Sequence, residues 1–281
     1  MSTIATISEL TPDLAEQYNA LQQYFHKLES AVVAFSGGID SSLVAYVAAQ
    51  VLGDRVLAVT SASESLKRED LHLTQELAQQ WNLSHQIIHT QEIDNPNYQA
   101  NPINRCYYCK TTLYQALEKL AKERGYRHIM NGTNLDDLTD YRPGLVAAKE
   151  YGILAPLADC QFNKAQIRRL ATYLGLKNSR KPQAACLASR IPYGTQVSKN
   201  TLAQIEYAES VLLNLGFTQC RVRHHQTIAR IEIPIDEFEK ALQHRQQIES
   251  QLKSCGYQFV TLDLSGFHSG SLNTMANIPE K

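Results

Sequence analysis

The sequence predicts an α/β fold: a doubly wound, mostly parallel sheet followed by a smaller C-terminal α+β domain. Three observations lead there. Short apolar runs alternate with helix-length segments as far as Met130, the pattern of strands joined by crossover helices. A glycine-rich turn joins the first of those strands directly to a helix. Beyond about residue 190 the order changes to helix, strand pair, helix, strand.

The elements follow in order. Residues 13–29 show helical spacing, and Ala31-Val32-Val33-Ala34-Phe35 is short enough for a buried strand. Ser36-Gly37-Gly38 interrupts the run, and Asp40 to Leu52 reads as a helix. Strand 56–60, helix 67–80 and strand 85–89 come next, then helix 111–124 and a short strand at His128-Ile129-Met130. In the last part, helix 200–215, strands 220–224 and 228–233, helix 236–254 and strand 259–264 complete the pattern. The loop from Lys181 to Gly194 leads into this part, so the domains are read as residues 1–185 and 186–281. The tail from His268 is polar.

A chain of 281 residues with 43% hydrophobic content is long enough for two domains with their own cores. The 27 basic residues nearly cancel the 28 acidic ones, which argues against bulk nucleic-acid binding. No apolar run reaches the length of a membrane span and the N-terminus lacks a signal-like apolar core, so a soluble, cytoplasmic protein is expected. In that reducing setting six cysteines do not point to disulfides, and Cys160, Cys220 and Cys255 read as small buried hydrophobes.

The segment that decides the class is AVVAFSGGIDSSLVAYV, residues 31–47. Ser36, Gly37 and Gly38 let the backbone turn tightly, Ser41 and Ser42 add hydroxyls, and the amides of the helix start favour an anion. No Gly-Lys-Ser/Thr follows, which excludes a Walker A loop. The string resembles the PP-loop, S-G-G-x-D-S, of the ATP pyrophosphatases, which cleave ATP between the α and β phosphates. The resemblance implies ATP and Mg²⁺, with Asp40 near the metal and pyrophosphate. It also implies that polar residues at the end of the second strand, Thr60 first, contact the adenosine. Gly132 and Thr133, in Asn131-Gly132-Thr133-Asn134-Leu135-Asp136-Asp137, resemble a G-T-N-x-D-D element of several such enzymes. Taken alone, that stretch reads equally as an Asn-Gly turn before an Asp-capped helix.

Cys106 and Cys109, in Asn104-Arg105-Cys106-Tyr107-Tyr108-Cys109-Lys110, form a Cys-x-x-Cys pair just before a helix. Zinc, redox chemistry and an iron–sulfur cluster all use such spacing, though no second pair or His-x-His partner completes a zinc site. Cys186 supplies a third thiol.

Three further stretches narrow the resemblance. They are Asp140-Tyr141-Arg142-Pro143-Gly144, the run Cys186-Leu187-Ala188-Ser189-Arg190-Ile191-Pro192-Tyr193-Gly194, and residues 221–232, R-V-R-H-H through I-A-R-I-E. Together with the PP-loop they are similar to the LarE family, the ATP-dependent sulfur transferases of nickel-pincer nucleotide cofactor synthesis, over essentially the whole chain. The resemblance implies adenylation of a carboxylate of pyridinium-3,5-biscarboxylic acid mononucleotide, then displacement of AMP by sulfur to leave a thiocarboxylate. It implies either a 4Fe–4S cluster on Cys106, Cys109 and Cys186, or Cys186 as a sacrificial sulfur donor. Other PP-loop enzymes, in tRNA thiolation or ammonia-dependent ligation, are the alternative. Lys110, Arg142, Ser189, Arg190, Arg221 and Arg223 are the candidate substrate contacts, since guanidinium forks match phosphate and carboxylate. The partner implied is the mononucleotide substrate, and the assembly a homo-oligomer with a hexamer as the candidate form.

Overall fold

A computed structural model describes residues 9–139, 142–182 and 185–268. Asp140, Tyr141, Gln183, Ala184 and the tail beyond His268 lie outside the described residues, so expectations that fall on them stay untested. Packing divides the chain into two units, Met1–Glu92 with Cys106–Ala184 and Ile93–Arg105 with Ala185–Lys281. Segment 93–105, expected inside the first domain, packs with the second.

In the first unit the order is α1 (Pro12–His26), β1 (Ala31–Ala34), α2 (Ile39–Leu52), β2 (Val56–Ser61), α3 (Arg68–Gln80) and β3 (His85–Ile88). After α4 (Pro96–Gln99), which belongs to the second unit, come α5 (Arg105–Arg124), β4 (His128–Met130), α6 (Pro143–Glu150), α7 (Pro156–Asp159) and α8 (Lys164–Tyr173). The four strands are parallel in the order β3-β2-β1-β4. Both faces of β1 are covered, as double winding requires. Ala31 and Val33 enter the core built with Leu21 and Phe25 of α1, Leu43 and Val47 of α2, and Ile167 and Leu170 of α8. Val32 faces the other way, against Tyr114 and Leu117 of α5 and Ala147 of α6. Each fully buried Val, Leu or Phe contributes about 1.5–3 kcal/mol, and these small and branched residues leave room for helices on both sides.

The chain moves from β1 outward to β2 and β3, then returns to place β4 on the opposite side of β1. That reversal makes the carboxyl ends of β1 and β4 the switch point where open α/β sheets bind ligands.

The second unit adds α9 (Lys199–Asn214), β5 (Arg221–His225), β6 (Ile228–Glu232), α10 (Phe238–Gln243), α11 (Arg245–Ser254) and β7 (Phe259–Leu262). Its sheet runs β5-β6-β7, with β5 antiparallel and β7 parallel to β6. One face carries Val222, Ala229 and Ile231 into a core with Leu212, Ile248 and Leu252. Asn101 stitches segment 93–105 to this unit: its side-chain amide donates to the carbonyls of Ile191 (3.3 Å), Pro192 (2.8 Å) and Thr195 (3.0 Å).

Two predicted elements change, and one unassigned stretch folds into helices. The helix expected from 111 begins at Arg105, so both cysteines of the pair sit inside α5. The single helix expected over 236–254 breaks at His244 into α10 and α11. Helices α6, α7 and α8 occupy a stretch given no assignment from sequence; Pro143 and Pro156 open the first two, and an Asn163–Gln166 capping box opens the third.

Candidate active site

Between β1 and α2 the loop turns at Gly37, whose φ of +70° is the left-handed region that glycine tolerates. The hydroxyls organise the loop from within. Ser41 Oγ donates to the Gly38 carbonyl at 3.1 Å, accepts from the Ser36 amide at 3.2 Å and lies 3.1 Å from Ser36 Oγ. Ser42, predicted to face the anion, is fully buried and accepts a 2.8 Å bond from Asn178 Nδ2, which also holds the Gly37 carbonyl at 2.9 Å. Asn178 therefore braces the loop from behind, a role no local pattern announced.

Gly132, at the end of β4, closes on the start of α2. A Cβ there would lie 2.5 Å from the Ser41 nitrogen and 2.8 Å from the Asp40 carbonyl carbon, so only glycine permits the approach. Beyond it, Asn134 and two aspartates link the switch point together. Asn134 Nδ2 donates to Asp40 Oδ1 at 3.4 Å, Asp136 accepts the Lys164 amide at 2.8 Å, and Asp137 pairs with Arg142 at 2.8 Å. Burial pushes the Asp137 carboxyl up, and Arg142 partly offsets this. Lys164 Nζ sits 2.5 Å from Asp40 Oδ2. Sequence reasoning missed Lys164, because 124 residues separate it from its partner. Thr133 lies in the same element, its amide bound to Asn131 Oδ1 at 2.9 Å.

Thr60 does not present its hydroxyl at the strand end. It is 1% exposed, donates to the Phe35 carbonyl at 2.7 Å and lies 2.8 Å from His85 Nε2. Because the Thr60 proton goes to Phe35, Nε2 of His85 is the protonated nitrogen and donates to Thr60. Burial lowers the pKa of His85.

The predicted cysteines divide between the units. Cys106 and Cys109 lie three residues apart in the first turns of α5, on one helix face, with Cys106 exposed. Gly144 packs against this turn: a Cβ there would be 3.0 Å from Cγ of the exposed Lys110 and 3.7 Å from the Cys106 carbonyl oxygen. Cys186 belongs to the second unit, exposed, at the start of a short 3₁₀ turn, Leu187–Arg190. None of the six cysteines forms a disulfide. Cys220 is buried as expected, whereas Cys160 and Cys255 are half-buried; burial raises the Cys160 thiol to about 11 and also raises Cys255. Within each unit, no group of three or more His, Cys, Asp and Glu converges as metal ligands among the described residues.

The arginines predicted to meet substrate are mostly engaged by the protein itself. Arg190, 3% exposed, forks onto Glu209 at 2.8 and 3.1 Å. Its remaining nitrogen donates to the carbonyls of Ala185 (2.7 Å) and Cys186 (3.1 Å) and to Ser189 Oγ (3.0 Å). Arg223, also 3% exposed, forks onto Glu232 at 2.8 and 2.9 Å and donates to the Ser189 carbonyl at 2.7 Å. Strand alternation does place Arg221, Arg223 and His225 on one face, opposite the core residue Val222. Arg221 differs from the other two. Among the described residues no carboxylate lies within ion-pair distance of it; the Phe267 ring lies 4.5 Å from its guanidinium carbon and the His268 carbonyl accepts at 2.8 Å. Burial, with Arg223 and Arg190 nearby, lowers its pKa to about 10.

Comparison with known proteins agrees with this layout. A family model described as NAD synthase matches residues 14–107. The uncharacterised protein slr1717 of Synechocystis is 43% identical over 262 residues, 92% of this chain and 98% of its own length. The pyridinium-3,5-bisthiocarboxylic acid mononucleotide synthase of Lactiplantibacillus plantarum is 38% identical over 261 residues, 92% of this chain and 95% of its own. A component of the glutamine-hydrolysing GMP synthase of Methanococcus vannielii is more distant, 27% identical over 60% of this chain and 55% of its own. Its match and that of the NAD synthase model are partial, whereas the likeness to the first two relatives runs through both units, and the chain belongs to the LarE family of PP-loop, ATP-dependent sulfur transferases.

Proposed function

We propose that the chain adenylates a carboxylate of pyridinium-3,5-biscarboxylic acid mononucleotide and converts it to a thiocarboxylate. The observation that carries this reading is the switch-point loop, with Gly132 pressed against the amides of α2 and Asp40 at its mouth. The carboxylate oxygen attacks the α-phosphorus of ATP, and the bond to the β-phosphate breaks to release pyrophosphate. A carboxylate is a poor electrophile; its mixed anhydride with AMP carries a good leaving group. A sulfur nucleophile then adds to the acyl carbon and AMP departs.

The amides at Gly37 to Ser41 receive the phosphates. Asp40 fits Mg²⁺, which commonly takes one or two carboxylates and fills its remaining positions with phosphate oxygens and water. Arg221, the arginine of its face with no carboxylate partner among the described residues, is the one available to the substrate phosphate.

By the chemistry of their thiols, Cys106, Cys109 and Cys186 are the ligands this reading gives a 4Fe–4S cluster. The first two share one helix face at i, i+3, and three thiolates leave one iron of a cubane open. Such a cluster would supply sulfur held at its open iron.

Anaerobic purification with iron and sulfide analysis, beside intact-mass measurement after turnover, tests the reading. About four irons per chain with no mass loss is the expected result. Loss of H₂S from the polypeptide assigns the donor to Cys186 instead. Absence of pyrophosphate release with the mononucleotide overturns the reaction itself.

A further inference from the structure

The exposed Cys186 stands on a turn whose carbonyls are held by guanidinium groups. Arg190 donates to Ala185 and Cys186, and Arg223 to Ser189. The remaining contact comes from Arg105, which stands beside the Cys106–Cys109 pair and has no role assigned from sequence. Arg105 Nη1 donates to the Ala188 carbonyl at 2.9 Å and to Asn101 Oδ1 at 2.5 Å. Four carbonyls between Ala185 and Ser189 thus accept from three arginines that arrive on three separate segments of the second unit.

We infer that Arg105 is a positioning residue for the sulfur-transfer half of the reaction: it fixes the turn that presents Cys186. Arg105 is 3% exposed, and its bond to Ala188 spans 83 residues of sequence. Burying a guanidinium is costly unless its donors are satisfied, so a buried arginine spent on a backbone carbonyl fixes where that carbonyl sits. The turn's flanking backbone bonds run from Ser189 N to Cys186 O at 3.0 Å and from Ile191 N to Ala188 O at 3.2 Å. A 3₁₀ turn has poorer hydrogen-bond geometry than an α-helix, so side chains that bind its carbonyls add to what holds it. Arg190 and Glu209 anchor its two ends, while Arg105 holds its middle. Asn101, bonded to Arg105 and to three carbonyls just past the turn, aims the guanidinium.

One nitrogen of Arg105 makes both contacts, so a lysine ammonium offers the same two donors whereas methionine offers none. The inference rests on the proposed role of Cys186, and the test separates the two. Arg105→Met and Arg105→Lys are compared with wild type by amide exchange of the peptide covering residues 186–192, by bound iron after anaerobic reconstitution, and by pyrophosphate release. For Arg105→Met, exchange of the turn is expected to quicken by roughly tenfold or more, the factor that follows loss of a charge-assisted bond to a buried carbonyl. Its iron content falls while pyrophosphate release persists, and Arg105→Lys restores both exchange and iron. Unchanged exchange in Arg105→Met overturns the inference. So does parallel loss of iron and pyrophosphate release in both variants, which marks general damage to the fold. Wild-type protein that binds no iron removes the cluster reading, and the exchange measurement still decides the role of Arg105.

Discussion

The two units build their candidate sites on opposite plans. In the first unit the candidate site is made of backbone: Gly37 and Gly38 turn the main chain at the start of α2, and the side chains of Ser41 and Asn178 hold the loop. In the second unit side chains hold the backbone, as arginines spend their donors on the carbonyls under Cys186. Motif reading traces the loop of the first plan because glycine, serine and the strand-to-helix change report local geometry, though Ser42 and Thr60, both expected at the ligand, are buried. It misleads with the second, because an arginine on a strand has a legible face but an illegible partner. Of three arginines expected to meet substrate here, two are closed off by glutamates.

The sharpest way to break this contrast is at the second plan. Glu209→Ala leaves Arg190 buried without its carboxylate, and the second unit should lose about 3–5 kcal/mol, the usual cost of removing one partner of a buried pair. Urea unfolding followed by a probe in that unit reads this, and pyrophosphate release should outlast sulfur transfer. At the first plan, Asp40→Ala should lower ATP–pyrophosphate exchange by about 10²–10³-fold, the range seen when a group stabilising developing charge is removed. Iron content should not change. Gly132→Ala forces a methyl into the α2 backbone and should cost about 1–3 kcal/mol. Its diagnostic is a rise in the apparent Kd for ATP with the second unit's melting unaltered. The smallest effect concerns pH. His85 is half-buried and desolvation depresses its pKa, so the unfolded chain takes up a proton at higher pH than the folded one. Stability is therefore complete above pH 6.5, the ordinary histidine value, and declines as pH falls below it. Unfolding midpoints between pH 7.5 and 5.5 should show the decline, and His85→Gln should flatten it.

Much of the fold could be read in advance for the same reason as the loop. Buried apolar runs set β1 to β4, and their spacing leaves no choice but crossover helices. Residues 143–173 were less legible, since α6 and α7 are short and draw their stability from packing. The Asn163–Gln166 capping box before α8 was a readable signal. Lys164 was not, because nothing local to it points to Asp40. Nor does any pattern show that segment 93–105 leaves the first unit. Its polar composition reads as a loop, and only the bonds of Asn101 and Arg105 reveal where it goes.

That excursion has a consequence for how the protein is made. Residues 93–105 leave the ribosome well before their partners, which begin at Ala185. Synthesis at about 5–20 residues per second puts an interval of several seconds between them. During that time Asn101 and Arg105 lack the carbonyls of Ala188, Ile191, Pro192 and Thr195 that they bind in the folded chain, although the first four strands are already complete in the emerged chain. The newborn protein therefore carries this polar segment without those acceptors until the turn that bears Cys186 arrives.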